Sequence, residues 1–248
     1  MRLLLANANT TGAVTALCAE AARAAARPGT EILAVTARFG PAIIGSRAEN
    51  AIAAHAVLDL LAEHQAGCDA VLLAVSFDTA LAAARQLLPL PVVGMTEAAC
   101  LVACALGGRF GLVTFSSAAL YREVIAGYGL ASRLAGIALV DATPTDAVSD
   151  PDGVAARVAA AASGLVADGA EAVILGGAAL AGMGQRLAGR VPVPVVDGIA
   201  AGVTLAEAVV SLGLPKPRTG SFAAAPGRAS LGLSPALSAL LARGGAGR

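Results

Sequence analysis

The nine residues GCDAVLLAV, beginning at Gly67, return as GAEAVILGG at Gly169, an offset of 102. The agreement extends in both directions. Downstream, LPVVGMTEAA and VPVVDGIAAG align at an offset of 103, pairing Pro91 with Pro194, and upstream LLLANANTTGAV resembles FGLVTFSSAALY. A repeat of this length is a whole folding unit, so it constrains the architecture before any single residue does. Within each copy, short runs of Val, Ile and Leu alternate with alanine-rich stretches of helical length. The runs predict strands at 2–6, 31–36, 70–75, 91–94, 110–114, 136–140, 172–175 and 193–196. The stretches predict helices near 11–26, 47–65, 79–87, 96–106, 117–129, 152–167, 183–189 and 199–212. Such alternation makes parallel sheets covered by helices, and unbroken apolar runs such as AVLLAV mark strands buried on both faces.

The expected fold class is α/β: two pseudo-symmetric domains, each a four-stranded parallel sheet flanked by helices. The expected partition is residues 1–105, completed by roughly 205–228, then 106–204, with 229–248 as a C-terminal tail. Helix 199–212 is expected to pack back on the first domain. From Ser221 onwards the chain is rich in Gly, Ala and Pro. It also holds SPALSALLAR, a Ser-Pro helix start with a leucine stripe, so that segment is expected to be partly loose or to make the contacts of a homo-oligomer. Ligands of open α/β sheets bind beyond the carboxyl ends of the strands, which puts the default site in the cleft between the two copies.

Composition removes several functions. Of 248 residues, 57% are hydrophobic and 14% charged, which describes a well-buried globular chain rather than a disordered one. Acidic and basic residues balance at 17 each, so the chain carries no field suited to nucleic acid or an anionic membrane. No apolar run approaches the ~18 residues that cross a bilayer. The apolar part of MRLLLANANT is too short for a signal peptide, so a cytoplasmic location is expected. Cys18, Cys68, Cys100 and Cys104 read as reduced, packed thiols. The i, i+4 pair Cys100 and Cys104 lacks the neighbouring His or acid that a metal site needs, so no metal is expected.

The polar turns that follow the strands hold the candidate chemistry. In NANTTG, Asn9, Thr10 and Thr11 precede a helix. Thr10 or Thr11 is expected to cap it and to leave amide donors aimed at the cleft. In SFDTA, Ser76, Phe77 and Asp78 follow Val75 at the end of the third strand, although Asp78 has an alternative role as a helix cap. In GGAAL, Gly177 and Ala178 leave the backbone open to a ligand. TFSSAALY contributes Thr114, Ser116, Ser117 and Tyr121, and RFGPAIIG contributes Phe39. His55 and His64 fall on the polar helix 47–65 and are expected at the surface.

Taken in order, NANTT, RFGPA, DAVLLAVSFDTALAAAR, PVVGMTEAA, FGLVTFSSA, GAEAVILGGAAL and PVVDGIAAGVTLAEAVV resemble the hydantoin racemase branch of the aspartate/glutamate racemase superfamily. The resemblance covers the chain to about residue 225. It implies two pseudo-symmetric α/β domains, no cofactor, and a small-molecule substrate carrying a carboxylate or a cyclic amide. It also implies racemisation at an acidic carbon by two cysteines, one from each half, acting as thiolate base and thiol acid. The second family cysteine falls at Gly177. The first falls at Val75, or at Ser76 if the alignment slips by one residue, and Cys68 lies at the far end of that strand. Val75 and Gly177 are expected to face each other across the cleft, with the amides of Ser76, Phe77 and Ala178 near a bound anion or carbonyl.

Thiols with pKa values near ~8.5 suit matched acid and base work, and neither valine nor glycine can replace them. The expectation is an isomerase-superfamily enzyme that forms an enolate or oxyanion without the two-cysteine mechanism. Ser76, Asp78 and Tyr121 are its candidate catalytic groups. The alternatives are a cysteine-independent hydrolase or lyase, or a binding protein that keeps the cleft without turnover.

Overall fold

The computed structural model describes residues 1–243. The first copy runs β1 (Arg2–Asn7), α1 (Gly12–Ala25), β2 (Glu31–Thr36), α2 (Arg47–His64), β3 (Ala70–Leu73), α3 (Leu81–Leu87), β4 (Val92–Gly94) and α4 (Met95–Leu106). The second runs β5 (Phe110–Thr114), α5 (Ala118–Gly127), β6 (Leu134–Leu139), α6 (Pro144–Ser149), α7 (Pro151–Ala167), β7 (Ala172–Gly176), β8 (Val195–Asp197) and α8 (Gly198–Leu212); α9 (Pro235–Arg243) follows. All pairings are parallel, and the two four-stranded sheets have orders β2-β1-β3-β4 and β6-β5-β7-β8, the same order in each copy.

The apolar runs explain these central strands. Leu3, Leu4 and Leu5 are consecutive and all fully buried, as are Val71, Leu72 and Leu73 on the neighbouring strand. Helices cover both faces, so neither side of these strands needs polar residues. One core cluster joins both copies: Leu3, Leu72 and Cys100 of the first belong with Phe110, Leu112, Tyr121 and Ile174 of the second. The opposite face of the second sheet, with Val113, Val173 and Leu175, packs on Val154 and Val158 of α7. Helix α8 packs against α1, α4 and β3.

Three expectations change. The helix expected at 183–189 is replaced by two short 3-10 turns, Ala178–Leu180 and Met183–Leu187, where Gly184 and Gly189 within the expected span disfavour α geometry. Helix α6 was not foreseen, although Thr143 and Asp146 cap it reciprocally. The helix in SPALSALLAR packs on α2 with Leu237 buried, so that leucine serves this chain's own packing rather than an oligomer contact. The end of the expected tail, 244–248, lies outside the described residues.

Candidate functional site

The carboxyl ends of β1 and β5 carry matched turns. The Thr114 hydroxyl accepts the Ser116 amide at 3.0 Å, and the Asn7 side-chain oxygen accepts the Asn9 amide at 3.1 Å. The first copy is more heavily cross-linked. The Asn9 side chain accepts the Thr11 amide at 2.9 Å, the Thr10 amide donates to the Pro41 carbonyl at 3.1 Å, and the Thr11 hydroxyl donates to the Ala42 carbonyl at 2.8 Å. This overturns one expectation. Thr11 stands at the N-cap of α1 without capping it through its side chain, and the amides of Asn9, Thr10 and Thr11 are spent on the chain itself. In the second copy Ser117 caps α5 by accepting the Leu120 amide at 3.3 Å, while Ser116 and Phe115 line a cavity of about 640 Å³ beside β5 and β6. That cavity also holds Leu139, Asp141, Asp146 and Arg157. Phe39, 39% exposed, stands edge-on to His55 with ring centres 5.1 Å apart.

The turn after β3 meets the turn after β7. A side chain beginning at Gly177 would lie 3.6 Å from the Ser76 hydroxyl and 3.9 Å from the Tyr121 hydroxyl. The group opposite Gly177 is therefore Ser76. Val75, expected there, is buried in the core cluster that joins the two copies. The chain reaches this geometry because β3 ends at Leu73, and a turn closed by the Asp78 amide on the Val75 carbonyl at 3.1 Å redirects the following residues. Gly177 has a φ of +133°, a backbone that side chains rarely adopt. Phe77 packs edge-on against Tyr121, with ring centres 5.0 Å apart.

The Tyr121 phenol is buried on α5 and has no hydrogen-bond partner of normal geometry, although the Ser76 and Thr114 hydroxyls are its polar neighbours. Burial pushes its pKa up, so it stays a neutral donor. Among the described residues, the amides of Ser76, Phe77 and Ala178 donate to no protein acceptor. At the junction of the copies the Ser76 and Tyr121 hydroxyls thus stand beside the bare backbone of Gly177.

Asp78 is differently employed. Its carboxylate accepts the amides of Thr96 and Glu97 at 3.0 and 2.8 Å and the Tyr128 hydroxyl at 2.5 Å. It thus caps α4 from a remote turn, which weighs against its acting as a free base at the junction. Burial, the largest influence, pushes its pKa up to about 6, against the pull of Tyr128 and the two amides. Tyr128 was missed in the sequence, although its spacing of seven from Tyr121 puts both on one helical face.

Cys18 does more than fill the core. It donates from α1 to the Ala178 carbonyl at 3.5 Å, and burial, then Asp197, pushes its thiol up to about 12. Cys68 lies beside the His64 carbonyl at the start of β3, and Cys100 and Cys104 lie on α4. None of the four is the group opposite Gly177, and all four are free thiols. Among the described residues no group of three or more His, Cys, Asp or Glu could hold a metal ion, and no helix is long and apolar enough to cross a membrane.

Two α/β units of the same strand order, with the turns after β3 and β7 meeting, define a class of two-unit α/β folds, in which the carboxyl ends of the strands are the usual place for a ligand. The family described as Asp/Glu/Hydantoin racemase matches residues 3–206, and the chain belongs to that family. The hydantoin racemase of Pseudomonas sp. (strain NS671) is 33% identical over 217 residues, 86% of this chain and 87% of that protein. The structure of an allantoin racemase from Pseudomonas fluorescens superposes with a TM-score of 0.89 at 34% identity, covering 94% of this chain and 100% of the other. Glutamate racemase from Bacillus anthracis shares the fold, with a TM-score of 0.60 at 14% identity over 85% of this chain and 82% of its own.

Proposed function

We propose that this chain is a cofactor-independent isomerase acting on a small cyclic amide or carboxylate, with a hydantoin-type ring the first candidate, through an enolate and without a pair of thiols. The observation that carries this reading is the junction group. The Ser76 and Tyr121 hydroxyls stand 3.6 and 3.9 Å from the point where a side chain at Gly177 would begin. The one-third identity to proteins named hydantoin and allantoin racemases supports the choice of ring.

Each group has a role in the proposal. The unpaired amides of Ser76, Phe77 and Ala178 receive the carbonyl oxygen as it gains charge, where preorganised donors are most effective. The Tyr121 phenol donates to the same anion or to the carbon. Asn9, Thr10, Thr11, Phe39, Thr114, Ser116 and Ser117 surround the ring, and Val75 backs the turn. An unassisted serine hydroxyl is a weak base, so in this proposal Ser76 passes its own hydroxyl proton to Tyr121 as it takes the proton from carbon, and Tyr121 gives its phenol proton to the enolate, which leaves both hydroxyls neutral. The domain partition given above remains part of this reading, with α8 lying against α1 and α4 in its support.

Incubation with 5-substituted hydantoins, allantoin and free amino acids in heavy water tests the proposal. Deuterium at the acidic carbon with loss of optical rotation is the expected result. Ring opening identifies a hydrolase, release of a fragment a lyase, and tight binding without exchange a binding protein. Each of those outcomes removes the isomerase reading.

A further inference from the structure

The two tyrosines of this chain both belong to one helix: Tyr121 lies within α5 and Tyr128 closes it. Seven residues apart, they share a helical face. Both reach from the second copy onto the Ser76–Ala80 turn of the first. Tyr121 packs on Phe77, and Tyr128 donates to the Asp78 carboxylate at 2.5 Å. That carboxylate also holds the first turn of α4 through the Thr96 and Glu97 amides, and the Thr96 hydroxyl donates to the Ser76 carbonyl at 2.8 Å. Gly94 leaves the room required, because a methyl group there would overlap the Asp78 carboxylate. The turn is also strained. Among the described residues, Asp78 and Ala80 are the non-glycine residues with positive φ, at 46° and 61°. Strain of this kind persists only where the surroundings over-determine it.

We propose that Asp78 and Tyr128 are positioning residues that clamp the Ser76 turn between α4 and α5, holding the Ser76 hydroxyl against Gly177 and Tyr121. The proposal rests on reading that junction as the reacting site. The clamp needs a carboxylate that accepts from all three donors. The charged and titratable groups facing it are Tyr128 and Tyr121 from α5 and Glu97 and Cys100 from α4, with Glu97 paired in turn to Arg85 of α3. Burial is the main reason that Asp78 takes up a proton near pH 6, and the Tyr128 hydrogen bond opposes this. Protonation puts a hydrogen on an oxygen that has to accept one, and the clamp loosens.

Labelling the tyrosine ζ carbons with ¹³C gives two resonances, one for each ring. In the wild type the Tyr128 resonance should titrate with a midpoint near 6. In Tyr128→Phe the Tyr121 resonance should shift, because the Phe77 ring moves with the relaxed turn. With hydantoin as the probe in heavy water, kcat for exchange should fall about ten- to a hundredfold at nearly constant KM. The acid limb should move to higher pH, because the bond that lowers the Asp78 pKa is gone. A merely structural role would lower the melting temperature and leave the Tyr121 resonance and the acid limb in place; that result overturns the proposal. Wild type that leaves hydantoin unexchanged overturns the functional reading instead. The resonances then decide the clamp: a Tyr128 midpoint near 6 with a displaced Tyr121 signal in the variant supports it, and two pH-independent, undisplaced signals end it.

Discussion

At the start of α4 the chain reads VVGMTE, and at the start of α8, the same place in the second copy, it reads VVDGIA. Both helices begin with amides that need acceptors. In the second copy the acceptor is local: Asp197, at the N-cap, takes the Ile199 and Ala200 amides at 2.8 and 3.1 Å. In the first copy Gly94 stands at the N-cap, and Asp78 supplies the carboxylate from a turn sixteen residues upstream. Each acid also ties the turn after the third strand of its copy to the helix after the fourth, since Asp197 accepts the Gly182 amide at 2.5 Å. The tie is the same, but the acid sits at opposite ends of it. Placing the acid in the turn puts it next to Ser76 and within reach of Tyr128, so in the first copy helix capping and the shape of the proposed site depend on one side chain.

The largest asymmetry should appear at the junction. Tyr121→Phe is expected to slow exchange of a hydantoin-type substrate by about 10²-fold or more. It should leave the urea midpoint almost unchanged, because the hydroxyl has no partner to lose. An exchange rate equal to wild type would reduce Tyr121 to a packing residue.

Next in size is the contrast between the two acids. Asp78→Ala strands two buried amides and a phenol, for an expected loss of about 3 kcal/mol in urea unfolding. Asp197→Ala removes a local cap, for an expected loss of about 1 kcal/mol. Equal losses would show that the remote position brings no extra dependence.

Asp78 should also make stability follow pH. The Asp78 pKa is raised in the folded chain, so the folded state holds that proton more tightly than the unfolded chain does. The stability this provides is fully present below the ordinary aspartate range and is lost as pH rises through about 6. Asp78→Asn should flatten that part of the profile, as read by urea midpoints at successive pH values. A wild-type profile equally steep in Asp78→Asn would assign the slope to other groups. The smallest effect concerns strain. Ala80, with a φ of 61°, should gain about 0.5–1 kcal/mol on replacement by glycine, and a lower urea midpoint for Ala80→Gly would show that the turn is not strained there.

The repeat, the eight strands and both ends of α2 and α4 were legible in the sequence to within a residue or two. Alternation of apolar runs and helical stretches is a local signal, and burial on both faces of a parallel strand writes itself into consecutive residues such as Leu3, Leu4 and Leu5. The polar turns were legible as candidates for the same reason. Which of them meet was not. The sequence alignment favoured Val75 opposite Gly177, and the fold puts Ser76 there, because a turn that begins two residues after β3 decides which side chain points across the gap. The substitution of Gly94 for Asp197 was equally visible, but its partner is set by the packing of α4 against a distant turn, and Tyr128 enters that group from the other copy. The sequence alone determined that this chain folds as two matching parallel α/β units, because hydrophobic period and turn residues act over a few positions. Only the tertiary structure decided which side chains share the junction, because contacts across about a hundred residues depend on the angles at which whole helices and turns pack.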